Sequence, residues 1–148
     1  MKLDNQSNKN EVNMAKTIYI MRGIPGSGKS TMAKQIASLH NGLICSADDY
    51  FMHDGFYQFN QKELGLAHLE CYHKAKSAME TGVECIIIDN TNIKKWQIQP
   101  YEIAAGQHGY LVQYVEVPMI AAEEAFKRNV HHVPFEVIQR MISDYEPL

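Results

Sequence analysis

The chain has 148 residues, 45% of them hydrophobic, and a formal net charge of −3. That is one domain of ordinary size, able to bury about 70% of its unfolded-chain surface. Its only arginines are Arg22, Arg128 and Arg140, too few for the basic surface of a broad duplex-DNA footprint, although gripping a single nucleic-acid end takes few charges.

Residues 1–16 are polar and rich in Asn and Lys, and are expected to form a disordered tail without chemistry. Residues 17–21 are apolar and β-branched and run into glycines, the pattern of a buried strand feeding a turn. Apolar positions at Met32, Ala33, Ile36, Ala37 and Leu39 give a helix over 29–40, closed by Asn41-Gly42. A second short strand covers 43–46. Residues 51–60 are aromatic and irregular, with the look of a mobile flap. A long helix is expected over 64–80, with Leu66, Leu69, Ala75, Ala78 and Met79 as core contacts. Cys85-Ile86-Ile87-Ile88 is apolar throughout, as a central parallel strand should be. A helix over 96–105 ends at Gly106, a strand over 110–117 stops at Pro118, and helices follow over 121–129 and 134–145, the last with Pro at its first turn.

Strands alternating with helices imply right-handed crossovers and a parallel sheet covered on both faces, an α/β domain over residues 17–148. Ligands bind such sheets at the carboxyl ends of the strands, which here follow Met21, Ser46, Ile88 and Val117. Unusual polar residues stand at three of these four points. The cysteines Cys45, Cys71 and Cys85 are an odd count without metal-ligand spacing. Buried free thiols in a reducing, cytoplasmic setting are expected. No stretch has transmembrane length, and the N-terminus lacks a signal-peptide apolar region.

Gly23-Ile24-Pro25-Gly26-Ser27-Gly28-Lys29-Ser30 follows a strand and opens a helix, the context that a phosphate-binding loop requires. Glycines let backbone N–H groups turn inward around a phosphate, and the helix adds its free N–H groups and positive dipole end. The expected nucleotide-binding residues are Gly23, Pro25, Gly26, Ser27, Gly28, Lys29, Ser30 and Thr31. Lys29 would reach the β- and γ-phosphates, and the Ser30 hydroxyl would sit at Mg²⁺. Asp89 closes an apolar strand and is a second metal candidate, its alternative role being a cap of the next turn. Asp48-Asp49 follow the second strand. There a carboxylate can take or orient the proton of an acceptor hydroxyl, or simply cap the segment at Tyr50. Arg128, at a helix end beside an irregular stretch, can stabilise a transferring phosphoryl group or only offset the helix dipole. His131 and His132 lack zinc spacing and fit a solvated loop, and Arg140 fits a surface charge.

With these residues assembled, the chain resembles the polynucleotide 5′-hydroxyl kinase family of P-loop kinases. It is similar both to the phage kinase–phosphatase type and, more so, to the kinase-like domains of eukaryotic ubiquitin-ligase-binding proteins. The marks are Arg22 through Ser30, Asp48-Asp49-Tyr50-Phe51, Tyr57-Gln58-Phe59, Ala67-His68, Asp89-Asn90-Thr91-Asn92, Trp96, Gly109-Tyr110 and Lys127-Arg128-Asn129. The resemblance implies a three-layer P-loop kinase fold with about four parallel strands and a C-terminal helical lid. It also implies Asp48 as general base and Arg128 as a lid arginine, Lys29 being the third catalytic residue. The phage-type motif has an arginine where this chain has Phe51, and carries its third-strand acid where this chain has Asn90. The implied reaction is transfer of the ATP γ-phosphate, with Mg²⁺, to a hydroxyl: a nucleic-acid 5′-end in the first instance. Tyr50, Phe51, Phe56, Tyr57 and Phe59 could stack on its terminal base or form a small satellite core. A small-molecule acceptor and a non-catalytic ATP-binding regulatory module are the alternatives. A monomer away from membranes is expected.

Overall fold

The computed structural model describes residues 15–148, so the expected tail lies, but for its last two residues, outside the described part. Four strands form one parallel sheet: β1 Thr17–Arg22, β2 Leu43–Cys45, β5 Cys85–Ile88 and β6 Leu111–Glu116, in the order β2-β5-β1-β6. β1 lies in the middle, in register Ile18↔Ile86 and Ile18↔Val112. Among the described residues, five α-helices accompany the sheet: α1 Lys29–His40, α2 Leu64–Glu80, α3 Lys95–His108, α4 Ala122–Arg128 and α5 Phe135–Asp144. This is the expected three-layer α/β fold with about four parallel strands.

The strand period of two decides which layer each side chain joins. Ile18, Ile20, Ile86 and Ile88 point to one face and pack with Ala67, Cys71 and Ala75 of α2 and Ile98, Tyr101 and Ala104 of α3. Met21, Cys85 and Ile87 point to the other and meet Ala33 of α1. A third cluster joins α4 and α5 through Ala125 and Ile138 to Ile24 and Ile93 of the strand-end loops. The last two helices are therefore packed on the carboxyl ends of the strands, not on the sheet.

Several boundaries and contacts differ from the sequence expectation. Leu66 and Leu69 are exposed, at 55% and 51%. α2 buries Ala75, Ala78 and Met79 as expected, with Ala67 and Cys71 in place of the two leucines, a stripe at helical spacing whose small residues allow close approach. α3 runs through Gly106 to His108, because Gly109 at φ 73° supplies the left-handed cap and donates its N–H to the Ala105 carbonyl. Residues 51–60 are not wholly irregular: β3 Met52–His53 and β4 Phe56–Tyr57 form a small antiparallel hairpin, turned at Asp54-Gly55, both with positive φ. The three cysteines are buried and free. Among the described residues, no helix is long and apolar enough to cross a membrane.

Candidate functional site

The glycine loop joins β1 to α1. Gly26 and Gly28 have φ of 79° and 91°, values that favour glycine. α1 starts at Gly28 without a side-chain cap and without an acid in its first turn. Its first N–H groups and its positive dipole end are therefore uncommitted. A Cβ at Gly28 would meet nothing within 4 Å, so the cradle is open. The Ser27 hydroxyl is buried and has no hydrogen-bond partner among the described residues. The open cradle and the uncapped helix end together fit a bound phosphate chain, whereas the Ser27 hydroxyl lies on the Gly23 side of the loop and does not line the cleft. Pro25, Gly26, Gly28, Lys29, Ser30 and Thr31 line a cleft of about 1010 Å³. Gly23 has a different place: its N–H donates to the Thr91 carbonyl at 3.1 Å, bracing the loop from behind.

Each residue of Asp89-Asn90-Thr91-Asn92 has its own contact. Asp89 Oδ1 accepts from Lys29 Nζ at 2.8 Å, and both residues are buried. The carboxylate thus faces the phosphate loop and is not committed to a turn cap. Asn90 points the other way, its Oδ1 accepting from the Ala47 N–H at 2.9 Å and its Nδ2 donating to Cys71 Sγ at 3.5 Å. The residue standing where the phage type has its acid therefore holds the segment carrying Asp48. Asn92, at φ 49°, donates Nδ2 to the Met21 carbonyl at 2.7 Å. Arg22, fully buried, gathers Asn92 O, Ile93 O, Glu146 O and Glu116 Oε1 with bonds of 2.6–3.0 Å.

The second wall is the turn Ala47–Phe51. Its cap is Ser46, whose Oγ accepts from the Asp48 N–H at 3.3 Å, so neither aspartate is needed for capping. Asp48 lines the cleft, whereas Asp49 is exposed outside it. The Asp48 Oδ1 accepts from Tyr57 OH at 3.1 Å. Burial first, then the adjacent Asp48 charge, pushes the Tyr57 phenol well above its usual pKa, so it is a donor at neutral pH. His68 is partly buried on α2. Burial lowers its pKa, and the Asp48 charge partly opposes that. The aromatic set divides. Phe51 is 1% exposed and belongs to the core, Phe56 is exposed, and Tyr57 and Phe59 face the cleft with rings 6.5 Å apart at 22°.

The segment after α4 lines one side of the cleft. Arg128 borders it, exposed and paired with Glu124 Oε1 at 2.7 Å. His131 is not a solvated loop residue. Its ring packs on Tyr57, centroids 4.1 Å apart, and its Nε2 lies 3.5 Å from Asp48 Oδ2. Arg140, expected as a plain surface charge, is exposed but borders the same cleft, since α5 folds back over the loop. Sequence periodicity could not find His131 or Arg140, because both reach the site through the packing of α4 and α5. The thiols stand aside: burial pushes Cys45 up to about 12, and Cys71 is occupied by Tyr101 OH at 3.3 Å.

This fold and glycine loop define a P-loop protein of the kinase type. The family model described as AAA domain matches residues 18–148, and the chain belongs to that family. It is 40% identical over 133 residues, 87% of its length, to human NEDD4-binding protein 2, of which it spans 8%. Among solved structures it is similar to a chain of the Pnkp1/Rnl/Hen1 RNA repair complex, with TM-score 0.70, 18% identity, and 88% of this chain and 44% of that chain covered. It is also similar to a gluconokinase from Sinorhizobium meliloti 1021, with TM-score 0.61, 15% identity, and 89% and 76% covered. At these identities the structural likeness is one of fold.

Proposed function

We propose that the chain is an ATP-dependent phosphotransferase acting on a hydroxyl, of the polynucleotide 5′-hydroxyl kinase type. The observation that carries this reading is the convergence of Lys29, Asp48 and Arg128 on one cleft with the glycine loop at its floor. A molecule that only bound nucleotide would have no use for a cleft-facing carboxylate freed from capping. The nucleotide's phosphates lie in the loop over Gly26 to Thr31, and Lys29 exchanges Asp89 for phosphate oxygens. Asp48 accepts the proton of the acceptor hydroxyl as its oxygen bonds the γ-phosphorus, and ADP leaves. Lys29 and Arg128 stabilise the equatorial charge. Ser30 and Asp89 offer a hydroxyl and a carboxylate, hard donors that suit Mg²⁺. When bound, Mg²⁺ supplies further charge neutralisation at the phosphates. The free thiols support a cytoplasmic setting.

Tyr57 and Phe59 at the acceptor end support stacking on a terminal base. A second reading, a small-molecule acceptor, is favoured by Phe51: where the phage type has an acceptor-holding arginine, this chain has a core side chain at 1% exposure. Incubation with γ-labelled ATP and either 5′-hydroxyl oligonucleotides or a panel of hydroxylated metabolites separates the two. Label on the oligonucleotide, reduced about 100-fold or more by Asp48→Asn, is the expected result. Label on a metabolite alone sinks the polynucleotide reading, and an Asp48→Asn variant with wild-type transfer removes Asp48 from the mechanism.

A further inference from the structure

Asp48 stands on a short turn with its side chain 47% exposed. The last torsion of an aspartate is soft, so a carboxylate in that position turns freely unless one oxygen is held. Tyr57 holds one: its OH donates to Oδ1 at 3.1 Å, within hydrogen-bond reach. Oδ2 has His131 Nε2 at 3.5 Å, too far for a good hydrogen bond, and is left to take a further donor. Ser46 and Asn90 fix the backbone of the turn through the Asp48 and Ala47 N–H groups. What Tyr57 adds is control of the side-chain torsion.

The phenol itself is placed by the fold. Tyr57 pairs with Met52 across the hairpin, and the hairpin starts where the Asp48 turn ends. The neighbouring Gln58 N–H donates to the Phe51 carbonyl at 2.8 Å, tying the second hairpin strand back to that turn. The Tyr57 ring meets Phe51 edge-on, centroids 6.1 Å apart at 82°, and Phe51 belongs to the core. His131 packs on the same ring at 4.1 Å. A hydroxyl carried on a ring held in this way has a defined position, and burial followed by the Asp48 charge keeps it protonated at neutral pH. The ring and the hydroxyl therefore have separable uses: the ring supports stacking at the acceptor end, and the hydroxyl orients the carboxylate.

We infer that Tyr57 is a positioning residue for phosphoryl transfer, its hydroxyl tethering Asp48 Oδ1 so that Oδ2 is aimed at the acceptor hydroxyl. The inference rests on the phosphotransferase reading above. In the step, the acceptor oxygen bonds the γ-phosphorus, its proton passes to Oδ2, and the bond to the bridging oxygen of ADP breaks. The Tyr57 proton stays on the phenol throughout. Tyr57→Phe removes the tether and keeps the ring. With γ-labelled ATP and a 5′-hydroxyl oligonucleotide, or the hydroxylated metabolite that takes the label instead, its kcat should fall about tenfold, part of what a positioned base contributes. Both KM values should stay within about twofold, since ground-state binding does not use the tether, and the urea midpoint should not move. Tyr57→3-fluorotyrosine, which keeps a donor hydroxyl on the same ring, should turn over close to wild type. A wild-type kcat in Tyr57→Phe overturns the inference. So does a loss seen in KM alone, a loss shared by the 3-fluorotyrosine protein, or one that comes with weaker ATP binding and a lower urea midpoint, which is a general disturbance of the site. A second measurement reads the tether without turnover: the side-chain carboxyl ¹³C signal of Asp48, assigned in labelled protein, should move in Tyr57→Phe. An unmoved signal overturns the inference whatever the activity. A moved signal, in a wild-type protein that binds ATP and labels no acceptor, would instead overturn the phosphotransferase reading, and the positioning role with it, while leaving the contact intact.

Discussion

Gly26→Ala puts the packing of the lid against the phosphate loop to a quantitative test. A Cβ at residue 26 would stand 2.1 Å from the Ala125 carbonyl oxygen and 2.9 Å from its carbon, both backbone atoms of α4. Neither can rotate away, so α4 must retreat by about an ångström, carrying Arg128 with it. Residue 26 also has φ of 79°, which costs an alanine about 1–2 kcal/mol, and overpacking of this kind costs about 1–3 kcal/mol more. The expected loss is about 2–5 kcal/mol, a large share of a total stability of about 5–15 kcal/mol. Gly28→Ala isolates the steric part. Its φ of 91° carries a similar backbone cost, but its Cβ would meet nothing within 4 Å. Urea unfolding of both variants, at unchanged m-value, measures the difference. Gly28→Ala should lose only about 1–2 kcal/mol, yet bind ATP poorly in a titration, because its methyl enters the phosphate cradle. Equal losses for the two variants, or a Gly26→Ala loss below about 1 kcal/mol, would refute the reasoning.

Arg22→Met removes the donor shared by the Asn92, Ile93 and Glu146 carbonyls and the partner of Glu116. Leaving these groups unpaired should cost about 3–5 kcal/mol in the same unfolding assay, while Arg140→Met, at an exposed position, should cost under about 0.5 kcal/mol. His68 supplies a pH dependence. Burial holds its pKa below the usual 6.5, so between its folded value and 6.5 the unfolded chain binds the proton more readily. Its neutral form therefore supports the fold above pH 6.5, and that support declines as pH falls from 6.5 toward the folded value. Thermal melts at pH 7.5 and 5.5 should show a smaller acid-side drop for His68→Gln than for the wild type. An equal drop would exclude His68 as a source.

The α/β class was legible because it rests on local periodicity. Alternation and apolar runs mark strands whose faces are buried, and helix spacing marks α1 and α2, both found at their expected limits of 29–40 and 64–80. The glycine loop was legible for the same reason: its chemistry lies in consecutive residues, and its strand-to-helix context is part of the sequence. Asp48 and Asp89 could be located at strand ends, but their surroundings could not. Lys29 meets Asp89 across 60 positions, and Asn90 reaches Ala47 across 43. The stripe that α2 buries went to Ala67 and Cys71 and not to Leu66 and Leu69, because the helix's rotation is set by what it packs on.

By itself, then, the sequence determined the sheet-and-helix order and the phosphate-binding loop, both products of short-range backbone geometry. Only the tertiary structure decided what surrounds Asp48. Ser46 takes over its cap, Tyr57 comes from the hairpin, and His131 comes from a turn 83 positions away in the numbering. Those contacts depend on where α4 and α5 settle on the strand ends, and that placement follows from long-range apolar packing that no local pattern records.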